Sequence, residues 1–377
     1  MNVLATLTLT VGLAGGAVAG GAILLSSGPL ADTKQSSLTD DSWFVTTIAG
    51  SGAVDYQSGY RDAAAGAAEF SGLSALAIAP DGTAYLSDSG NRRIRSLSAD
   101  RAAVSTFAGS GDEGVADGAA ASASFVLPGG LLVGPNAELY ISDSGGHRIR
   151  IAFPSGDVIT LAGGGDTGLA GGGFQDGATD TARFDLPAGL AFDRDGKLLV
   201  ADKNNHAIRV VTPDGQVTTL AGGPTLHGHV DGPLAQARFS APVAVAVSSD
   251  GSIYVLEHGN NALRVIRPDL SVHTLLGGGP PCGAPADCAD SARTLNYASG
   301  MAIGPDGAIY IADRTRILRV LDSGADVTVV AGTSESEFRD GSPGGFLDAV
   351  DIVVADDGSL IVVDAGASRV RLVEERP

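Results

Sequence analysis

Asp202-Lys-Asn-Asn-His-Ala-Ile-Arg209 is the stretch that decides the fold, because the chain repeats it. The same pattern, an acidic residue with an arginine seven positions later, also occurs at Asp88–Arg95, Asp143–Arg150, Glu257–Arg264 and Asp364–Arg371. At Asp313–Arg319 the spacing is one residue shorter. The acidic residues lie 55, 59, 55, 56 and 51 residues apart. Self-similarity at a fixed period of this length is typical of repeat architectures. We therefore predict six copies of one structural unit.

One repeat reads as four short strands. In the third copy, apolar runs at 190–192, 197–201, 206–211 and 216–220 are separated by turn sequences such as Asp193-Arg-Asp-Gly196. Short runs rich in β-branched residues, joined by Asp-Gly turns, predict an antiparallel meander. No stretch after residue 42 keeps a helical apolar period for three turns.

A single four-stranded sheet would leave both faces uncovered, whereas six sheets arranged around an axis cover one another. The sequence thus predicts an all-β fold, a six-bladed β-propeller of four-stranded antiparallel blades. The last repeat ends after its third run, at Arg369–Val373, and an unassigned run, Phe44–Ile48, precedes the first repeat. We expect this N-terminal strand to complete the last blade and close the ring.

Loops of roughly 20 residues are expected to join each blade to the next. They share Ala-Gly, often Asp-Gly, and then an aromatic residue: Phe70, Phe125, Phe184, Phe239, Tyr297 and Phe346. Loops this long without regular structure are usually functional or disordered. Because each carries one aromatic residue, we predict that they are held between the blades and build one face of the disc.

The charge of the chain bears on its partners. Its 377 residues carry a net charge of −19, and the arginines are scattered singly through the repeats. Nucleic-acid binding needs a basic face. We therefore expect no nucleic-acid partner.

The N-terminal segment differs from the rest. Residues 1–31 contain no charged side chain, and Val3–Leu25 is long enough to cross a bilayer, while Ala17-Val-Ala19 fits a signal-peptide cleavage site. A signal peptide and a membrane anchor both remain open. Residues 32–42 read as a polar linker before the propeller at 43–377. Either alternative predicts a secreted or membrane-anchored protein whose propeller lies outside the cytoplasm.

The two cysteines, Cys282 and Cys288, lie six residues apart in a Pro/Gly-rich loop. In an oxidising compartment they favour a small disulfide over two free thiols. No second Cys or His pair lies nearby in the sequence to complete a zinc site.

The repeat resembles the NHL-repeat family. The best matches are Leu198–Arg209 with Val217–Gly222, and Tyr140–Arg150 with Val158–Gly163. The resemblance extends over 43–377 and is weakest in the fifth and sixth repeats, where the family's Asn is missing. It implies a six-bladed propeller used as a binding platform. It also brings in an alternative, because related six-bladed propellers include lyases and lactonases with a metal in the central channel.

A channel metal would need ligands at the starts of the innermost strands. Those starts are predicted at Leu73-Ser74, Pro128-Gly129, Pro187-Ala188, Pro242-Val243, Ser299-Gly300 and Asp348-Ala349. Only Asp348, with Asp351 beyond it, offers carboxylates, and Ca²⁺ takes six to eight oxygens. His227 and His229 offer a weaker alternative as zinc ligands. His147 and His206 share one repeat position, and the recurring Asp and Arg are interpreted as architectural.

The sequence therefore predicts a monomeric propeller that acts as a binding or scaffold module for a protein or other ligand, with no catalytic residue, cofactor or metal assigned. The alternative is a metal-dependent lyase or lactonase with its site in the central channel.

Overall fold

The computed structural model describes residues 42–51, 59–168, 171–278, 293–321, 324 and 326–376. The predicted apolar segment, most of the linker, and both cysteines lie outside these residues. No described helix is long and apolar enough to cross a membrane. The described helices are single 3-10 turns at Ala65–Ala67, Ser89–Asn91, Ser144–Gly146 and Lys203–Asn205.

The strands follow the predicted repeat. In chain order they are β1 (Trp43–Ala49), β2 (Ala63–Ala64), β3 (Leu73–Ile78), β4 (Ala84–Asp88), β5 (Arg93–Leu97), β6 (Ala103–Ala108), β7 (Gly118–Ala119), β8 (Pro128–Val133), β9 (Leu139–Asp143), β10 (Arg148–Ala152), β11 (Asp157–Gly163), β12 (Gly177–Ala178), β13 (Pro187–Phe192), β14 (Leu198–Asp202), β15 (Ala207–Val211), β16 (Gln216–Gly222), β17 (Gly232–Pro233), β18 (Pro242–Val247), β19 (Ile253–Glu257), β20 (Ala262–Ile266), β21 (Ser271–Gly277), β22 (Gly300–Ile303), β23 (Ile309–Asp313), β24 (Arg316–Val320), β25 (Val327–Gly332), β26 (Ala349–Val354), β27 (Leu360–Asp364) and β28 (Arg369–Glu375).

Six antiparallel sheets confirm the predicted propeller. Blades one to five have the inner-to-outer orders β3-β4-β5-β6, β8-β9-β10-β11, β13-β14-β15-β16, β18-β19-β20-β21 and β22-β23-β24-β25. In blades one to four a two-residue strand from the preceding long loop (β2, β7, β12 or β17) adds a fifth strand at the outer edge. The meander prediction did not include these short strands.

The ring closes as predicted. Blade six has the order β26-β27-β28-β1, and β1 runs antiparallel to β28 with Thr46 opposite Leu372. Val45 also exchanges two backbone hydrogen bonds of 2.9 Å with Gly341, in the loop that enters blade six. The N-terminal strand therefore joins the last blade to its own loop.

The apolar core lies between the blades. Six clusters of buried residues each draw on two consecutive blades, and the cluster between blades six and one completes the circle. Contacts between consecutive inner strands (β3, β8, β13, β18, β22, β26 and back to β3) form a closed ring around a central channel. Blades three and six are therefore on opposite sides of this channel.

The two faces of the disc differ. The start of each inner strand pairs with the end of the second strand, as Leu73 does with Asp88, so the long loops begin and end on the same face as the turns after the second strands. We call this the loop face. Between these ends the loops of blades one to four follow the outer edge, where their short strands pair with the starts of the outer strands. The short hairpins that join first to second and third to fourth strands form the opposite, hairpin face.

Candidate functional site

In every blade the repeated acid forms a buried ion pair with an arginine beneath the loop face, and we call these six pairs the ion-pair lattice. In blade three, Asp202 Oδ2 accepts hydrogen bonds from Arg209 at 2.7 Å and Asn205 at 2.8 Å, while its Oδ1 accepts from the Asp185 amide at 2.8 Å. Asp202 and Arg209 are fully buried. Aspartates that open a turn usually bind amides of that same turn. The amide partner of Asp202 lies instead in the long loop, so the motif joins that loop to the blade.

In blades one to four and six, the lattice arginine also holds a second carboxylate from the same loop. Arg209 Nη2 donates to Asp176 Oδ1 at 2.6 Å and to the Gln175 carbonyl at 2.8 Å. Asp176 accepts in addition from the amide of Thr219, in the outer strand, at 3.0 Å. Asp62, Asp117, Asp231 and Asp340 take this place in blades one, two, four and six. The recurring Asp of the loop sequence thus connects the loop to two strands.

The loop aromatics pack against this lattice. The guanidinium groups lie 5.1–5.3 Å from the rings of Phe70, Phe125, Phe184, Phe239 and Phe346, all of which are buried. The prediction was wrong in blade five, where Tyr297 is 43% exposed and Leu295 is buried in its place. The reason is register, since Leu295 has the same 18-residue distance to its blade's acid as Phe184 has to Asp202.

Blade five also pairs its charges differently. Arg316 Nε donates to the buried Asp313 at 2.8 Å, three residues away. Arg319, the predicted partner, pairs with Asp306 at the surface at 2.7 Å. The turn after the acid has two residues, 314–315, where blade three has four, so Arg319 lies three positions after the start of β24 and Arg209 two positions after the start of β15. Arg319 is therefore on the other side of its strand, because successive side chains alternate between the two faces.

The histidines at the shared repeat position connect neighbouring blades. His147 Nδ1 accepts from the Leu186 amide at 3.2 Å, and His206 Nδ1 accepts from the Ala241 amide at 2.9 Å. Asn261 does the same in blade four, accepting from the Tyr297 amide at 2.9 Å. All three residues have a positive φ of 50–54°. Asn and His are among the residues that tolerate this conformation best.

Burial of the lattice acids raises their pKa values. Desolvation raises the pKa of Asp202 to about 6 and that of Glu257 to about 8, in spite of their arginine partners. An ionised carboxylate loses hydration inside a protein, and the paired cation restores only part of it. Both groups already have internal partners, so they are poorly placed to meet a ligand.

Large apolar side chains are exposed mainly in the long loops. Eight described residues of this kind are exposed, and six of them lie in the long loops: Tyr60, Leu127, Phe174, Leu226, Val230 and Tyr297. Tyr60 and Phe174 also cover the lattice arginines Arg95 and Arg209, with guanidinium-to-ring distances of 4.9 and 4.7 Å. The other two, Ile159 and Leu270, lie on an outer strand and in a hairpin.

The central channel has a volume of about 620 Å³ and is lined by the six inner strands. Most of its wall is aliphatic. Among the described residues, Asp351 and Lys203 are the charged side chains that line it, with hydroxyl groups from Ser74, Ser144 and Ser299.

Asp351 breaks the symmetry of the channel wall. At its position in the inner strands the other blades have only Ala or Gly, namely Ala75, Gly130, Gly189, Ala244 and Gly300. Its Oδ2 accepts from the Leu76 amide of blade one at 2.9 Å. Burial, without a cation to offset it, raises the pKa of Asp351 to about 7. The group is therefore poised to change charge near neutral pH.

The residues considered for metal binding do not converge. Asp351 bonds to blade one, whereas Asp348 lies near Arg314 and Asp364, and burial raises its pKa. No described group of three His, Cys, Asp or Glu residues could hold a metal ion. The described channel wall offers one carboxylate and an ammonium group, a poor ligand set for a divalent cation.

The two loop histidines of the zinc hypothesis also have separate surroundings. The His227 ring packs against His206 at 5.4 Å, and His229 Nε2 bonds Thr274 Oγ1 at 2.8 Å. His227 thus contacts blade three and His229 contacts the outer strand of blade four. The arrangement brings no third ligand to either ring.

Comparison with known proteins supports the repeat assignment. A family model described as NHL repeat matches residues 184–211, from the buried Phe184 to the end of β15. The chain is 35% identical over 166 residues to Protein SUPPRESSOR OF QUENCHING 1, chloroplastic, of Arabidopsis thaliana, which is 40% of this chain and 15% of that protein. It is 31% identical over 225 residues to human NHL repeat-containing protein 2, which is 56% of this chain and 30% of that protein. The chain thus spans less than a third of either relative.

Solved propellers share the fold at low identity. An auxiliary nutrient binding protein from Bacteroides thetaiotaomicron superposes with a TM-score of 0.64 at 14% identity, covering 88% of this chain and 76% of that one. A gluconolactonase from Xanthomonas campestris gives 0.56 at 15%, covering 87% and 88%, and a streptogramin B lyase gives 0.52 at 12%, covering 88% and 97%. The repeat match, the relatives and the closed ring of six blades identify this chain as an NHL-repeat β-propeller.

Proposed function

We propose that this propeller is a binding or scaffold module that docks a protein partner on its loop face. The observation that carries the proposal is the distribution of exposed apolar side chains, six of the eight described ones lying in the long loops. Aromatic side chains such as Tyr60, Phe174 and Tyr297 are enriched at protein interfaces.

The lattice gives this face a second suitable property. Arg209 attaches its loop through Asp176 and two loop carbonyls, and the same pattern recurs around the ring. Ordering a loop on binding costs free energy. Loops that are already fixed avoid that cost, so they can present a preorganised surface to a partner.

The partner class follows from charge and location. A chain with a net charge of −19 repels nucleic acid, which favours a protein partner. The apolar residues 1–31 favour an encounter outside the cytoplasm, with the module secreted or anchored to a membrane. Mass spectrometry of the mature N-terminus tests this location, since a cleaved signal or a retained anchor gives different masses.

A capture experiment with two matched double variants tests the face itself. The full-length chain is immobilised, and proteins retained from extracellular fractions of its own cells are quantified. Leu127→Ser with Leu226→Ser alters the loop face, and Ile159→Ser with Leu270→Ser alters similarly exposed residues elsewhere. We expect a partner that the control variant retains and the loop-face variant loses by about tenfold or more, as hot-spot residues do. Equal retention by both variants would refute the proposal.

The alternative, a metal-dependent lyase or lactonase, has less support. The solved lyase and lactonase share the fold of this chain at 12–15% identity, and a similarity of this kind does not indicate a shared activity. Its channel site would need several oxygen or nitrogen ligands, and the described wall supplies the single carboxylate Asp351. No observation of the described residues favours this function over the binding module.

A further inference from the structure

One position beside the channel mouth differs from blade to blade. It is the residue that follows the acid at the end of the second strand, and it is Ser89, Ser144, Lys203, His258, Arg314 and Ala365 in blades one to six. Ser89 and Ser144 donate to the Pro128 and Pro187 carbonyls, at the starts of the next inner strands, at 2.5 and 2.6 Å. The position therefore adjoins the channel, and blades three, four and five carry basic side chains there.

Lys203 is the basic member of this set that lines the channel. It is half-buried, and its ammonium group makes no hydrogen bond or ion pair with any described residue. Burial lowers the pKa of Lys203. The other described lysine, Lys197, lies in a hairpin and pairs with Asp195 at 3.1 Å. An unpaired, partly desolvated ammonium group is expected to attract an anion, because it has lost hydration that no protein group replaces.

The charges around the mouth are divided between two sides. His258 packs its ring against Tyr297 at 5.2 Å, and burial together with the charge of Lys203 lowers its pKa. Arg314 is exposed near Asp348 on blade six. Basic groups thus occupy blades three to five, whereas the carboxyl groups Asp348 and Asp351 are on blade six. A molecule entering the channel meets positive charge on one side only.

The interior suits an apolar body. The inner strands contribute the partly exposed apolar side chains of Leu132, Val243, Ile303 and Val353 to the channel wall. The volume of about 620 Å³ is within the range of small-molecule sites, which combine apolar walls with a few placed polar groups.

We propose that the channel is a binding site for a small organic carboxylate, whose carboxylate group pairs with Lys203 at the mouth and whose apolar body lies along the inner strands. This site is separate from the protein-docking surface of the long loops, so either can fail without the other. The chain as a whole is strongly acidic and attracts cations in solution, so a preference for an anion must come from the local arrangement at the mouth.

Calorimetry on the full chain tests the site with octanoate as the probe. Octylamine has the same apolar body and the opposite charge. We expect saturable binding of octanoate to one site and at least tenfold weaker binding of octylamine. Lys203→Met should weaken octanoate binding by about tenfold or more, the usual effect of removing a charged hydrogen-bond partner. Lys197→Met, the same change on the same blade, should leave binding within about twofold, because a surface pair far from the probe contributes little.

Lys203→Arg serves as the rescue variant, since it keeps the charge, and it should bind octanoate more tightly than Lys203→Met. Thermal unfolding of both variants confirms that they are folded. The proposal is overturned by any of three results: no octanoate binding to the wild-type chain, equal affinity for octylamine, or equal loss in Lys203→Met and Lys197→Met.

Discussion

Replacing Asp351 by Asn should make the propeller more stable at neutral and alkaline pH. Burial raises the pKa of Asp351 from an ordinary value of 3.8 to about 7. Asparagine has the same shape, stays neutral, and can still accept the hydrogen bond from the Leu76 amide. The substitution therefore removes the cost of holding an ionised carboxylate in the channel wall.

The sign and size follow from linkage. A carboxyl group whose folded-state pKa is raised binds its proton more tightly in the folded chain than in the unfolded chain. The free energy of unfolding of the wild-type protein is therefore highest below about pH 4, falls as the pH rises, and levels off above about pH 7. A shift of about three pKa units corresponds to about 4 kcal/mol. The Asp351 side chain is partly exposed to the channel, so this figure is an upper limit. The variant should gain little near pH 4 and about 2–4 kcal/mol at pH 8.

Urea unfolding from pH 4 to 8.5 measures this difference. The chain has a single tryptophan, Trp43 in β1, which is 7% exposed in the same blade as Asp351, so its fluorescence reports the unfolding of that blade. Asp269→Asn is the control, because Asp269 is exposed in a hairpin and hydrogen bonding to Ser271 lowers its pKa. A stability difference that does not widen with pH, or a variant less stable than wild type at pH 8, would refute the reasoning.

Three further predictions concern the architecture. Arg209→Met should cost about 3–5 kcal/mol of unfolding free energy, because it leaves the buried carboxylate of Asp202 without its cation. Arg319→Met should cost less than about 1 kcal/mol, because its pair with Asp306 is at the surface. Denaturant unfolding of both variants compares these costs, and equal costs would contradict a stabilising role of the buried pair. His206→Asn should change the free energy of unfolding by less than about 1 kcal/mol, because Asn261 fills the same place in blade four. His206→Val should cost about 1–3 kcal/mol, because valine is strained at a positive φ and offers no acceptor for the Ala241 amide. The same denaturant experiments measure both, and a Val variant as stable as wild type would contradict this prediction. Deleting residues 43–49 removes the outer strand of blade six and should abolish the cooperative unfolding transition seen by circular dichroism, whereas an unchanged transition would show that closure does not stabilise the ring.

Much of the fold could be predicted because its determinants are local and repeated six times. Turn sequences such as Asp193-Arg-Asp-Gly196 and the spacing of the repeated acids were enough to predict the blades and their number. The closing pair of β1 and β28 followed from counting, since the last repeat lacked a fourth strand and one unassigned strand preceded the first repeat. The prediction failed in blade five, where Tyr297 lies two residues closer to the acid than Phe184 does, and Arg319 lies one position further along its strand than Arg209 does. A pattern with fixed spacing cannot follow such a shift, because alternating side chains exchange faces.

The candidate site was less predictable. The sequence drew attention to Asp351 as an exception at the inner strands, and to a recurring Asp in the loops. It could not show that Asp176 and Asp202 share one arginine, or that Asp351 bonds to blade one. Those contacts join residues up to 275 positions apart.

The sequence by itself determined the repeat, its strands and the closure of the ring, because hairpin turns and alternating apolar residues act over a few positions. Only the tertiary structure decided the environment of the charges. Ring closure brings Lys203 and Asp351 to opposite sides of one apolar channel, where burial alters their pKa values and leaves the ammonium group without a partner among the described residues. Desolvation depends on everything that surrounds a group in space, and the order of residues along a chain does not contain that information directly.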